Sequence, residues 1–283
     1  MNTIWSDNIQ GIQTLYLSRK LRFDDCFSEQ YKRMFGLDPN AEMRILEIGC
    51  GPGVLAGALQ RWYPNAGITG IDRDSRFIAF AREQYPAMTF LEGDAAELPF
   101  DDGTFDVTIS NTVHEHIEPT AFWGEQRRVL RPGGICLCLS ARKGICRRAP
   151  CLEMTDAESA FWQRHSDGES DLEKYQVGRY ATAENEIPAD MEKHGFSGVS
   201  TGYAVIDLTP DDPRYPAVMA EAMIEAERQG DLEAIDSVHA EDAEPAKAAV
   251  NAKYDERLRL YRGGIRQWDT IVNVTMVTRG VKR

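Results

Sequence analysis

Apolar side chains recur at spacings of three and four through the first forty residues, which is the period of an amphipathic helix. One such stripe consists of Trp5, Ile9, Ile12 and Tyr16. A second stripe lies within residues 27–35, and Asp38-Pro39-Asn40 then breaks the pattern. The spacing therefore predicts a helical cap over residues 1–40.

From residue 41 onward, short runs rich in branched residues alternate with runs of helical spacing. The pattern predicts strands over 44–49, 67–72, 87–92, 105–111 and 133–140, and helices over 54–63, 75–85 and 119–130. Such alternation is typical of parallel βαβ units in a doubly wound α/β sheet. Right-handed crossovers bring the carboxyl ends of the parallel strands to one edge of the sheet, where ligands bind.

The pattern changes twice in the second half of the chain. Residues 141–181 are polar and show no clear hydrophobic period, so we expect an irregular segment beside the ligand-binding edge of the sheet. A helix over 183–194 and a strand over 200–208 complete a predicted core of residues 41–212. Residues 213–262 are acidic and rich in Ala and Glu, which predicts a helical insertion before a final strand within 263–283.

Composition argues against several classes of protein. The formal net charge of −13 disfavours a nucleic-acid partner, and the clusters Arg142-Lys143 and Arg147-Arg148 read as solvated loop. The sequence contains no run of eighteen apolar residues, so we expect no membrane span. The amino terminus lacks the features of a secretory signal. Six cysteines occur without a CxxC pair, so we expect a cytoplasmic chain with reduced thiols and no metal site.

A glycine-rich loop joins the first predicted strand to its helix. Glycines stand at 49, 51 and 53 after the acid Glu47, whereas a dinucleotide fold prefers the spacing G-x-G-x-x-G. An acid before the glycines suits a cationic ligand better than a pyrophosphate. The second strand ends at Asp72, the usual place for a carboxylate that binds ribose hydroxyls, and Asp94 after the third strand could accept a hydrogen bond from an adenine amino group.

These acids together predict a site for a positively charged nucleoside without phosphate. Other roles stay open for single residues: Asp72 and Asp94 could be helix N-caps, and Gly53 could allow close packing of helix on sheet.

Five stretches resemble the class I S-adenosylmethionine-dependent methyltransferases: ILEIGCGPGVLA (45–56), GIDRD (70–74), GDAAELPFDDGTFDV (93–107), SNTVHEHIEP (110–119) and RVLRPGG (128–134). The last three are similar to the type 11 subgroup, which includes quinone-, biotin- and sterol-pathway enzymes. The resemblance implies a Rossmann-like seven-stranded sheet with an antiparallel last strand. It also implies cofactor contacts from Glu47, Gly49, Cys50, Gly51, Gly53, Asp72, Arg73, Asp94, Ala95 and Asn111.

The expected function is transfer of a methyl group from S-adenosylmethionine to a small molecule, leaving S-adenosylhomocysteine. His114 and His116 are candidate general bases because imidazole titrates near neutral pH, although either could be a structural histidine. No N-P-P-Y or D-P-P-Y sequence follows the fourth strand, which argues against methylation of nucleobase or glutamine amide nitrogens.

Three alternatives remain open at this point. The chain could bind the cofactor as a non-catalytic regulatory protein. Cys26, Cys146 and Cys151 could serve an arsenite-type metalloid methyltransferase, since soft thiolates suit such centres. A nicotinamide-dependent oxidoreductase is disfavoured by the glycine spacing.

The insertion over 213–262 could cover the ligand-binding edge of the sheet or form a homodimer contact.

Overall fold

A computed structural model describes residues 5–165, 175 and 177–283 of the chain. The strands of these ranges are β1 (Arg44–Ile48), β2 (Gly67–Asp72), β3 (Thr89–Glu92), β4 (Phe105–Asn111), β5 (Leu130–Arg147), β6 (Phe196–Asp207) and β7 (Thr270–Lys282). They form a seven-stranded sheet in the order β3-β2-β1-β4-β5-β7-β6. The strands β1 to β5 pair in parallel, which confirms the predicted doubly wound α/β sheet.

The direction of the last strand, β7, follows from its hydrogen bonds with β6. Ser197 Oγ near the start of β6 donates to Val281 O near the end of β7 at 3.3 Å, and Leu208 N donates to Ile271 O at 2.7 Å. Residues near the start of β6 therefore lie beside residues near the end of β7, so the two strands are antiparallel. This is the arrangement that the resemblance implied.

The helices of the described ranges are α1 (Trp5–Asn8), α2 (Ile12–Arg22), α3 (Ser28–Phe35), α4 (Val54–Trp62), α5 (Ser75–Gln84), α6 (Pro119–Val129), α7 (Asp156–His165), α8 (Glu186–Lys193), α9 (Ala217–Asp236) and α10 (Glu244–Arg262). Short 3-10 turns occupy Asp25–Phe27, His114–His116 and Pro150–Leu152. Helices α9 and α10 form the helical insertion predicted between the last two strands. None of the helices described is long and apolar enough to cross a membrane.

The chain divides into two compact units. The first, which we call the sheet unit, consists of Arg22–Arg142, Tyr175–Val205 and Val274–Arg283. Strand β1 is buried on both faces, as a central parallel strand must be, and Leu46 and Ile48 pack in an apolar cluster with Ile71. Helix α3 packs on α4 through the rings of Tyr31 and Trp62, which stack with their centroids 5.6 Å apart.

Strand β6 lies at one edge of the sheet, and a side chain from α3 pairs with its backbone. Gln30 Nε2 donates to Val205 O at 3.1 Å, and Gln30 Oε1 accepts from Val205 N at 3.0 Å. The amide group of Gln30 thus hydrogen-bonds both backbone groups of one edge residue.

The second unit has its described residues at 5–21, 143–165 and 206–273. Its apolar cluster includes Phe161, Val250 and Tyr254. Charged side chains are buried with their partners: Lys253 Nζ lies 2.5 Å from Glu158 Oε1, and each side chain is 5% exposed. Such pairs are tolerated in an interior because each ion satisfies the other.

Two features differ from the sequence interpretation. Strand β5 continues through Arg147 into the segment predicted to be irregular, and most of its residues beyond Ser140 are exposed. An exposed strand end shows no alternation of apolar and polar residues, so the pattern gave no signal. The predicted cap over 1–40 is also divided, because α3 belongs to the sheet unit and residues 5–21 to the other.

Candidate functional site

The glycine loop lies between β1 and α4, at the carboxyl edge of the parallel strands. Gly49 and Gly51 adopt positive φ angles of 66° and 50°, a conformation that glycine enters at no steric cost. The loop is tied to the neighbouring strand, because Gly49 N and Cys50 N both donate to Ile71 O, at 2.8 and 3.0 Å. A Cβ on Gly49 would lie 2.4 Å from Val113 Cγ2. The backbone of the loop therefore approaches the segment after β4 more closely than any other residue type allows.

Two residues of the loop serve packing. Gly53 has a φ of 79°, and a Cβ there would lie 2.9 Å from Phe90 Cζ, so this glycine permits the close contact of helix and sheet. The side chain of Cys50 is buried, and its Sγ lies 3.0 Å from the position of a Cβ on Gly70. Burial, followed by the charges of Glu47 and Asp72, raises the pKa of the Cys50 thiol well above its usual value. Cys50 therefore presents only its backbone to a ligand.

Two carboxylates stand at the ends of neighbouring strands. Glu47 in β1 is 2% exposed. Asp72 at the end of β2 is half-buried, and its Oδ2 and Oδ1 accept from Gly51 N at 2.8 Å and from Asp74 N at 2.9 Å. Burial raises the pKa of Asp72 while these two backbone donors oppose the shift. Each carboxylate oxygen of Asp72 retains acceptor capacity beyond its single backbone bond.

The helix-cap alternatives can be compared with the structure. The N-cap of α5 is Asp74, which is 2% exposed and accepts from Arg76 N, so Asp72 is not the cap. Asp94 is exposed and accepts from Ala96 N at 2.8 Å in a turn that no helix follows. Both carboxylates therefore lie at the carboxyl edge without the capping role that the sequence left open.

Arg73 and Ala95 follow these acids directly in the chain. Arg73 is exposed, and its positive charge acts on the ring of His116. Ala95 is half-buried and packs against the apolar cluster of Leu46 and Ile48. Their cofactor contacts remain predictions.

The segment after β4 turns sharply back over the sheet. Asn111 is the last residue of β4, and the next residue, Thr112, has a φ of 57°. Thr112 Oγ1 donates to Asn111 O at 2.6 Å, and Thr112 N donates to Leu139 O of β5 at 2.8 Å. A positive φ at a β-branched residue is uncommon and marks a backbone held by its surroundings.

His116 is held by a segment that is distant in sequence. Gly178 N donates to His116 Nδ1 at 2.9 Å, and Tyr180 N donates to Glu115 O at 2.9 Å. Because Nδ1 accepts, a neutral ring carries its proton on Nε2, which lies 3.5 Å from Glu115 Oε1. Burial, followed by the charge of Arg73, lowers the pKa of His116 to about 4. The His116 ring therefore binds Gly178 and is a weak base, while the backbone of Glu115 binds Tyr180.

His114 lies in the same turn and is 6% exposed. Neither of its ring nitrogens has a hydrogen-bond partner in the described part of the chain. Burial lowers the pKa of His114 to about 4, and the charges of Arg142 and His116 act in the same direction. The ring is therefore neutral at physiological pH.

Arg142 was assigned from the sequence to a solvated basic cluster, but the structure half-buries it. Its side chain is 14% exposed and lies on the face of β5 that also carries Ser140. The only sequence signal is its even spacing from Cys136, Cys138 and Ser140, which all face the interior. The contact of residues 178–180 with the turn His114–His116 had no signal in the sequence.

The cysteines give no support to the metalloid alternative. Cys26 and Cys146 are exposed and Cys151 is half-buried. Among residues 5–165, 175 and 177–283, no group of three or more His, Cys, Asp or Glu side chains is arranged to hold a metal ion.

Residues 46–138 match the model of a methyltransferase domain family. The chain is 34% identical over 142 residues to a probable phthiotriol/phenolphthiotriol dimycocerosates methyltransferase of Mycobacterium ulcerans, which covers 49% of this chain and 52% of that protein. It is 42% identical over 103 residues to a fatty-acid O-methyltransferase of Mycolicibacterium smegmatis, which covers 35% of this chain and 37% of that protein. The chain thus spans about half, or less, of the length of these relatives.

A solved structure resembles the fold over the whole chain. Phosphoethanolamine N-methyltransferase 2 of Haemonchus contortus, in complex with S-adenosyl-L-methionine, aligns with a TM-score of 0.58 and 18% identity, covering 100% of this chain and 60% of that one. The likeness concerns the fold alone.

Proposed function

We propose that this chain, whose residues 46–138 match a methyltransferase domain family, is a class I S-adenosylmethionine-dependent methyltransferase that transfers the cofactor's methyl group to a small lipid-like molecule. When bound, the cofactor supplies an electrophilic methyl group on a sulfonium. The observation that carries the proposal is the pair of shielded carboxylates, Glu47 and Asp72, beside a glycine loop at the carboxyl edge of the sheet.

The residues at this edge of the sheet fit this cofactor. Burying a carboxylate is costly unless cations or hydrogen-bond donors meet it, and S-adenosylmethionine brings two cationic groups, an ammonium and a sulfonium. Glu47 would face the cationic methionine part, and Asp72 would accept from the ribose hydroxyls. Asp94 and Ala95 would meet the adenine, and Gly49, Gly51 and Asn111 would line the cofactor with their backbone.

The histidines take different roles in this proposal. His116 uses Nδ1 to hold Gly178, so it positions the segment beside the acceptor and does not take a proton from it. His114 has two ring nitrogens that the described residues leave unused, so it is the histidine that contacts the acceptor.

A lipid-like acceptor is supported by the relatives. Two of them, at 34% and 42% identity, are named for lipid substrates: phthiotriol dimycocerosates and a fatty acid. The two alignments cover 49% and 35% of this chain, so its acceptor requires its own experiment.

The cofactor role of Glu47 has a matched control within the same strand region. Glu42 is exposed and precedes β1 at its amino end, on the opposite edge of the sheet. We expect calorimetric titration to show S-adenosylmethionine binding to the wild type and to Glu42→Gln with equal affinity. Glu47→Gln should bind about tenfold to a hundredfold more weakly, because hydrogen bonds to a charged group contribute about 1.5–3 kcal/mol.

Absence of binding to the folded wild type, or equal affinity in Glu47→Gln, would contradict the proposed site. Turnover is tested separately with methyl-labelled cofactor and a total lipid extract. Labelled lipid with the wild type and little with Glu47→Gln is the expected result, whereas binding without any transfer would favour the regulatory alternative.

A further inference from the structure

Arg142 is a half-buried cation at the carboxyl end of the sheet. Its Nη2 donates to Ser140 Oγ at 2.6 Å and its Nη1 donates to Thr182 O at 3.2 Å. A guanidinium carries five N–H donors, so these two bonds leave three for another partner. Nε is buried and has no hydrogen-bond partner among the residues described.

The charge of Arg142 is weakly balanced. Glu184 Oε1 lies 3.8 Å from Arg142 Nη1, and the Glu184 side chain is 55% exposed to water. Solvent-exposed ion pairs of this kind contribute little because water screens them. The arginine side chain itself is only 14% exposed. A half-buried guanidinium with spare donors and a weak counterion can bind an anion such as a carboxylate.

His114 adds a second group of the same character. Its ring is 6% exposed, and both nitrogens lack a partner in the described ranges. A buried polar group without a partner costs free energy that a ligand recovers. Arg142 lies close enough for its charge to act on this ring. Arg142 lies in β5 beyond the last residue that pairs with β4, and His114 lies in the turn after β4, so both belong to the edge where the proposed cofactor site lies.

We infer that Arg142 and His114 bind the carboxylate of a fatty-acyl acceptor, so that the product is a methyl ester. The inference rests on the proposed function and specifies its acceptor.

A carboxylate is the nucleophile that this site can use without a base. One carboxylate oxygen supplies an electron pair and forms a bond to the methyl carbon, while the carbon–sulfur bond breaks and its electron pair stays on sulfur. The charges of carboxylate and sulfonium cancel, and no proton moves. An alcohol or ammonium acceptor must lose a proton, for which both histidines, with pKa values of about 4, are weakly basic.

The test uses the whole chain loaded with S-adenosylhomocysteine. Acetate, octanoate and hexadecanoate are titrated by calorimetry, with octan-1-ol and octylamine as controls of matched length. We expect at least one of the longer acids to bind and neither control to do so. With S-adenosylmethionine, the same acid should give its methyl ester, identified by mass spectrometry.

Variants assign the binding to Arg142. Arg142→Gln should weaken acid binding by about tenfold to a hundredfold, and Arg142→Lys should restore part of it, because the charge returns without the planar fork. Lys143→Gln is the matched control: it removes the same charge from the adjacent exposed residue and should bind acids like the wild type. His114→Asn gives a second, independent variant. Unchanged cofactor affinity in each variant verifies its folding.

Three results would overturn the inference: no acid binds, Arg142→Gln binds acids as tightly as the wild type, or octan-1-ol or octylamine is methylated and the acids are not. In each of these, cofactor binding by the wild type would leave the proposed methyltransferase standing. Loss of cofactor binding itself would instead remove the proposed function.

Discussion

Replacement of Gly49 by alanine tests the close approach of the glycine loop to the segment after β4. The new Cβ would lie 2.4 Å from Val113 Cγ2 and 3.3 Å from Val113 Cγ1. Carbon atoms pack best at about 3.5–4.0 Å, so the two side chains must separate by about 1 Å. Val113 cannot turn aside, because a β-branched side chain has restricted rotamers and both methyl groups face the glycine. It also packs against two buried apolar clusters.

The expected loss of stability has two parts. A left-handed φ costs a residue other than glycine about 1–2 kcal/mol. Overpacking a filled interior costs about 1–3 kcal/mol. Gly49→Ala should therefore lower the free energy of unfolding by about 2–5 kcal/mol.

A matched control separates these parts. Gly198 in β6 has a φ of 58°, and nothing lies within 4 Å of the position of its Cβ. Gly198→Ala should therefore lose only the conformational part, about 1–2 kcal/mol. Val113→Ala combined with Gly49→Ala removes the clashing methyl groups, so this double variant should be more stable than the sum of the two single changes indicates.

The assay is urea denaturation of the wild type and the four variants, followed by tryptophan fluorescence and circular dichroism. Equal losses in Gly49→Ala and Gly198→Ala would refute the role of Val113. Strict additivity in the double variant would refute it as well, since the clash would then contribute nothing.

Two further predictions concern buried ionisable groups. Burial, together with the charges of Arg142 and His116, holds the pKa of His114 at about 4 instead of 6.5. Between these values the unfolded chain binds more protons, so His114 alone should lower the free energy of unfolding by roughly 3 kcal/mol as the pH falls from 6.5 to 4. His116, with the same lowered pKa, adds a decline of the same sign. His114→Gln should therefore make the total decline smaller, and an unchanged slope would contradict the assignment. Lys253→Met leaves Glu158 buried without its cationic partner and should lower the free energy of unfolding by about 3–5 kcal/mol. Adding Glu158→Gln should restore much of this stability in the double variant. Lys247→Met removes an ion pair with the exposed Asp236 and should change the free energy of unfolding little. A similar loss of stability in both lysine variants would show that burial of the Lys253–Glu158 pair is not the cause.

The sheet was predictable from sequence wherever local pattern determines structure. Strands β2 and β4 begin and end at the residues expected, Gly67–Asp72 and Phe105–Asn111. Each is an apolar run bounded by polar or glycine residues, and its neighbours in the sheet follow from the βαβ connection. The glycine loop was predictable for the same reason, since strand, loop and helix are contiguous in the chain.

The acceptor side of the site could not be predicted in the same way. The burial of Arg142 depends on Ser140 and on residues 182–184, which lie some forty positions further along the chain. Likewise the lone pair of His116 Nδ1 is occupied by Gly178 N, and no spacing rule connects a histidine with a glycine so far away. Local periodicity reports which face of an element is apolar, whereas these contacts depend on tertiary packing.

The hydrogen bonds of Gln30 at the edge of the sheet bear on self-association. A primary amide has the same donor and acceptor as a peptide unit, so Gln30 occupies the place that one residue of a foreign strand would take beside Val205. Val205 and its neighbour Tyr203 are about half exposed, at 48% and 50%. An open edge with exposed apolar side chains is a template for intermolecular β-pairing. A single glutamine on α3 thus competes with intermolecular strand pairing at Val205.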